Sequence, residues 1–194
     1  MDITKIIWLV IIVFFLFISC FYMCTSSSTM VGGDDNTQEL SLDHDSDVLL
    51  LTCLDFRFLQ RINDFMNKIG YRNNYDHFVL AGASLGVDAS VNEMIKSWQK
   101  TWWDHLKLSN SLHRINKVII IDHEDCGAFK EFLGFDNEAE DKKNPDIIPA
   151  KELDIHSKHL RIAYKIIKER YPSLEVKLYI MGLRSNVVQV APSP

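Results

Sequence analysis

The sequence predicts an α/β domain with a mostly parallel central sheet flanked by helices, behind an apolar N-terminal helix. Three observations lead there. Four short runs, at 48–52, 77–80, 117–122 and 176–181, are apolar almost without interruption, as strands buried on both faces must be. Between them, apolar residues recur at helical spacing. The alternation of strand and helix is the pattern of crossovers in a parallel sheet, and right-handed crossovers bring all the strand ends to one edge.

The elements follow in order. Residues 6–23, IIWLVIIVFFLFISCFYM, carry no charge and no polar face. That length crosses a bilayer as a helix, so 1–24 is read as a single-pass membrane anchor. A cleaved signal peptide is the alternative, and Phe17-Ile18-Ser19-Cys20 loosely resembles a lipoprotein cleavage site. Lys5 precedes the segment and no Lys or Arg follows until Arg57, which places the domain on the non-cytoplasmic side of the membrane. Residues 25–46, with TSSST, Gly32-Gly33 and an acidic run around His44, read as a flexible polar linker. The globular domain is then 47–194.

Within it, Leu59, Ile62, Phe65, Met66 and Ile69 mark a helix over about 58–69, stopped at Gly70. Val91, Met94, Ile95, Trp98, Trp102 and Leu106 mark a long helix from about 87 to 108, with Ser84 as its cap. Trp98 and Trp102 share a helical face and read as core; Trp103 falls outside that stripe and suits a subunit contact. Residues 136–149 read as a loop, and 150–170 as a helix closed by Pro172. His156 and His159, spaced i, i+3 on that helix, read as surface histidines in preference to a metal pair. The tail from 187 carries no interpretable pattern.

The 194 residues are 47% hydrophobic, enough for a sizeable core. The net charge of -5 and the lack of a basic cluster argue against nucleic acid as a partner. Of four cysteines, Cys20 and Cys24 fall in the apolar segment, so only Cys53 and Cys126 belong to the domain. This is no disulfide framework.

Those two cysteines sit in the informative motifs. Cys53-Leu54-Asp55-Phe56-Arg57 follows the first strand, and His123-Glu124-Asp125-Cys126-Gly127 follows the third. Ligands of open α/β sheets bind at the carboxyl edge of the strands. Two thiolates and an imidazole suit Zn2+ and leave a fourth position open, the mark of a catalytic ion. Such an ion lowers the pKa of bound water and yields hydroxide at neutral pH. Alternation along an extended segment puts Asp55 and Arg57 on the same side as Cys53. Arg57 stays charged and fixes the Asp55 carboxylate, which can accept the water's proton. Alternatively, Asp55 turns onto the metal and silences it, or the pair is an ordinary ion pair. A Cys53–Cys126 disulfide is a further alternative.

With these motifs in order, the chain resembles the β-class carbonic anhydrases. Cys53, Asp55 and Arg57 match the family's C-x-D-x-R, and His123, Cys126 and Gly127 match its H-x-x-C-G; Ala81-Gly82 and Tyr179-Ile180-Met181-Gly182 fall at further family positions. The resemblance spans about 47–185. It implies zinc held by Cys53, His123 and Cys126, reversible hydration of carbon dioxide to bicarbonate, Asp55 and Arg57 as catalytic residues, and a homodimer joined through the sheet edge. Leu54, Phe56, Val79 and Leu80 depart from the small or polar residues usual in the family, so related chemistry on carbonyl sulfide is an alternative. So are a catalytically silent zinc-binding interaction module at a membrane and a thiol-redox domain.

Overall fold

The computed structural model describes residues 44–135, 147–184 and 186–192, together with Asp2, Thr4 and Trp8. Apart from Trp8, the expected anchor at 6–23 lies outside these residues, as do most of the linker and the loop at 136–146. Among the described residues no helix is long and apolar enough to cross a membrane. All elements below belong to the unit Leu42–Pro194.

Strands β1 (Val48–Thr52), β2 (Tyr75–Val79), β3 (Lys117–His123), β4 (Glu175–Met181) and β5 (Val187–Val190) form one sheet in the order β2-β1-β3-β4-β5. The first four are mutually parallel, and β5 runs antiparallel to β4. The α/β fold with a mostly parallel sheet is therefore present. The antiparallel β5 lies in the tail where the sequence had suggested nothing.

The helices are α1 (Leu59–Lys68), α2 (Ser84–Val87), α3 (Glu93–His113), α4 (Gly127–Leu133) and α5 (Ala150–Arg170). Alternation sends the two faces of β1 to different cores. Val48 and Leu50 pack with Phe58, Ile62 and Met66 on the α1 side. Leu49 and Leu51 pack with Trp102 and Leu106 of α3 and Leu160 and Ile167 of α5. Covering on both faces explains why β1 and the middle of β3 are so apolar, whereas β2, at the sheet's edge, is only partly covered and carries Asp76 and His77.

The expected helix over 87–108 starts later and runs further, as α3, because residues 88–92 are not helical; α2 is a separate turn before them. Asp88 accepts hydrogen bonds from the Ser90 amide (3.1 Å) and hydroxyl (2.6 Å), and Asn92 caps α3 by accepting from the Met94 amide at 2.9 Å. These short-range bonds offer the backbone an alternative to helix. Ser84 begins α2 without capping it; its amide (3.0 Å) and hydroxyl (2.6 Å) both donate to Asp122. Trp102 is fully buried, Trp98 meets Phe132 edge-on, and Trp103 stacks on Tyr171 beneath the Arg170 guanidinium.

Candidate metal centre

From β1 the chain passes through α1 to β2 on one side of the sheet. From β3 it passes through α4 and α5 to β4 on the other. The connections diverge between β1 and β3, and a crevice opens beyond the ends of those two strands. Cys53 follows the last residue of β1, and His123 is the last residue of β3. Three residues on, Cys126 occupies the N-cap of α4. Asp125 makes that quick reversal in the left-handed region at φ 55°, where Asp is among the tolerated side chains.

One ligand atom from each of Cys53, His123 and Cys126 lies within 4.8 Å of the other two. The sulfurs are 3.9 Å apart and belong to free cysteines, far beyond the ~2.05 Å of a disulfide. Cys126 and His123 are buried and Cys53 is half-buried. Leu85 and Phe129 close the apolar side.

The imidazole tests the fit to a metal. His123 Nδ1 lies 2.8 Å from the Glu124 carbonyl oxygen, an obligate acceptor, so Nδ1 carries the proton. That leaves Nε2 with a lone pair, and this atom is buried without a hydrogen-bond partner. An unsatisfied buried acceptor is costly. A soft cation shared with the two sulfurs satisfies it, and Cys2His is a zinc donor set.

The thiols share their proton unequally. The hydrogen bond from Cys126 is the largest influence on Cys53; helped by the Gly82 amide and opposed by burial, it lowers the Cys53 thiol well below its ordinary value. Cys126 is pushed up by the same bond and by burial. The Gly82 amide donates to Cys53 Sγ at 3.3 Å. Gly82 has φ 68°, and a Cβ there would stand 3.0 Å from both Ala128 Cβ and Leu85 Cδ1, so the turn needs glycine.

Asp55 and Arg57 are paired, though not by strand alternation. The strand ends at Thr52, and Asp55 caps a 3-10 turn over Phe56–Phe58 by accepting from the Arg57 amide at 3.0 Å. The turn swings the guanidinium back over the carboxylate, with Nη2 2.6 Å from Oδ2. Burial works to raise the Asp55 pKa, but the hydrogen bonds from Arg57 outweigh it and hold the carboxyl below its usual value. Arg57 also reaches the second motif. Its Nη1 donates to Asp125 Oδ2 at 2.7 Å and its Nη2 to the Asp125 carbonyl at 3.0 Å. The sequence reading missed Asp125 as a partner, although its place between His123 and Cys126 and the second edge of a guanidinium were both signals. Leu54 and Phe56 are 64% and 84% exposed, and Val79 is also exposed.

His156 and His159 are buried, contrary to the surface placement expected of them. They do not converge on a shared ligand. His156 Nδ1 meets Asp122 Oδ2 at 3.1 Å and His159 Nδ1 meets Asp88 Oδ2 at 2.8 Å. Asp122 and Asp88 lie far off in sequence, so no helical pattern reports these two contacts.

The sequence profile of the family described as "Putative carbonic anhydrase" matches residues 44–191. The chain belongs to this carbonic anhydrase family. The match takes in both motifs, so Cys53, Asp55, Arg57, His123 and Cys126 all lie inside the carbonic anhydrase region. An uncharacterised protein of Rickettsia bellii is 34% identical over 157 residues, 78% of this chain and 89% of its own length. Another, from Rickettsia conorii, is 31% identical over 159 residues, 82% of this chain and 80% of its own. Among solved structures, a Trichomonas vaginalis β-carbonic anhydrase is similar at 15% identity, with TM-score 0.48 and full coverage of both chains. One from Aspergillus fumigatus is similar at 13% identity, with TM-score 0.42 and 78% coverage of each.

Proposed function

We propose that this chain is a zinc-dependent carbonic anhydrase that interconverts carbon dioxide and bicarbonate. The supporting observation is the buried, partnerless Nε2 of His123 beside two cysteine sulfurs, one already disposed to be a thiolate. Cys53, His123 and Cys126 hold the ion, which supplies the Lewis acidity that makes water nucleophilic at neutral pH. The Glu124 carbonyl keeps His123 in the tautomer that offers Nε2. Arg57 keeps Asp55 ionised and aimed, and Asp55 orients water by accepting one of its hydrogens. Leu85 and Phe129 exclude bulk water from the sulfur side. Two anionic ligands weaken the ion's acidity, so Asp55 carries a correspondingly larger share of the proton handling.

The exposed Leu54, Phe56 and Val79 favour a second reading, a zinc-holding interaction module with the same ligands and no turnover. Carbonyl sulfide, also small and apolar, is the alternative substrate. In the same proposal residues 6–23 tether the domain to a membrane on its non-cytoplasmic side, and two copies meet along the edge strand β2. Stopped-flow carbon dioxide hydration on the zinc-analysed full chain tests the enzyme reading. About one zinc per chain with turnover abolished in Cys53→Ser supports it. Full zinc occupancy without turnover on carbon dioxide or carbonyl sulfide selects the interaction module, and undiminished turnover in a folded Cys53→Ser protein rules out the ligand assignment.

A further inference from the structure

The metal motif turns on Asp125, whose left-handed conformation lets His123 and Cys126 face one point. Two groups hold this residue through different atoms. Arg57 takes its carbonyl oxygen and its carboxylate. The Asp125 amide donates to Glu152 Oε1 at 2.5 Å. Glu152 stands in the first turn of α5, far from either motif in sequence, and its side chain is 2% exposed.

A buried carboxylate needs compensation, and His156, one turn on, provides it. Its Nε2 lies 3.8 Å from Glu152 Oε1, and its Nδ1 3.1 Å from Asp122 Oδ2. Burial favours a neutral ring, but hydrogen bonds and charge from Asp122 and Glu152 outweigh it and raise the His156 pKa. Asp122 is held in turn by the amide and hydroxyl of Ser84. Phe129 lies against the His156 ring with centroids 3.8 Å apart and seals it from water. The contacts run from the core to the crevice in the order Ser84, Asp122, His156, Glu152, Asp125, Arg57, Asp55, each a hydrogen bond except the 3.8 Å ion-pair contact between His156 and Glu152.

We infer that Glu152, braced by His156 and Asp122, is a positioning residue for the metal loop: it holds the Asp125 peptide in the turn that aims His123 and Cys126 together. The metal reading enters only through the affinity measurement below. Outer partners of metal ligands commonly change affinity by about 10–100-fold. A group that only supports the fold lowers stability and leaves the zinc affinity of folded protein unchanged.

The test measures zinc affinity of the full chain by chelator competition. Glu152→Ala is expected to bind zinc about 10–100-fold more weakly, while Glu152→Gln, which keeps an acceptor oxygen for the Asp125 amide, stays within about threefold of wild type. In an Arg57→Gln background the Glu152→Ala loss should shrink, since both residues act on one peptide. Unchanged affinity in folded Glu152→Ala, equal losses for Ala and Gln, or additive losses with Arg57→Gln would each overturn the inference. Should Glu152→Ala not fold, amide exchange in the wild-type chain decides: strong protection of the Asp125 amide supports the inference, and exchange at the unstructured rate overturns it. If wild type takes up no zinc, the metal reading fails, and the Asp125 amide still decides this one.

Discussion

Loading the site with a soft cation tests the sulfur chemistry directly. In metal-free protein the Cys53–Cys126 pair keeps one proton at neutral pH. The hydrogen bond from Cys126 lowers Cys53 well below its ordinary value, and the same bond together with burial raises Cys126. A bound cation needs both sulfurs as thiolates. At neutral pH one proton must therefore leave the pair, the one on Cys126. Two independent thiols of ordinary pKa, about 8.5, would release close to two. The cation competes with that proton, so binding strengthens as pH rises. The expected slope is about tenfold per pH unit, or ~1.4 kcal/mol, where independent thiols would give about a hundredfold. The assay is calorimetric titration of the full chain at pH 7.5 in two buffers of different protonation enthalpy, using cadmium, which does not acidify water in this range. A release of two protons, or a hundredfold slope, would refute the shared-proton account.

Further outcomes follow from the same geometry. Asp55→Asn should lower carbon dioxide hydration by about a hundredfold or more with zinc stoichiometry intact; equal rates would remove Asp55 from the proton handling. Leu106→Ala empties a fully buried position between α3 and the sheet and should cost about 2–5 kcal/mol in denaturant unfolding. Asn92→Ala removes the α3 cap and should cost about 1 kcal/mol by the same measurement. Gly82→Ala forces a left-handed alanine against Leu85 and Ala128. It should destabilise the domain by about 1–2 kcal/mol and weaken zinc binding, read by thermal unfolding and chelator competition.

The legible parts of the sequence were those governed by burial. β1 and β3 sit inside a parallel sheet, so nearly every residue is apolar and the runs announce themselves. Helix α5 falls where the periodicity put it because Pro149 and Pro172 bracket it. The missed features are set by particular hydrogen bonds. Asp88, Ser90 and Asn92 keep the first turn of the expected helix from forming, yet they occupy the polar positions that a helical stripe leaves open. Ser84 resembles a cap, but its partner Asp122 is 38 residues away. The two metal motifs were visible as spacing. Their coupling was not, because the chain must turn at Asp55 before Arg57 can reach Asp125. His156 looked like a surface residue because its counter-charges come from another strand and from its own helix four residues earlier.

β1 and β3 are immediate neighbours, paired residue for residue from Val48↔Lys117 to Thr52↔Ile121. The two halves of the centre are thus spaced by the strand-to-strand repeat, about 4.8 Å, a quantity that backbone hydrogen bonding fixes throughout proteins. The centre has no jaws, and its main-chain span behaves as a fixed caliper. A cation of larger radius would be accommodated by the side-chain torsions of Cys53, His123 and Cys126 and by the short segments that carry the two cysteines beyond the strand ends, while β1 and β3 keep their separation.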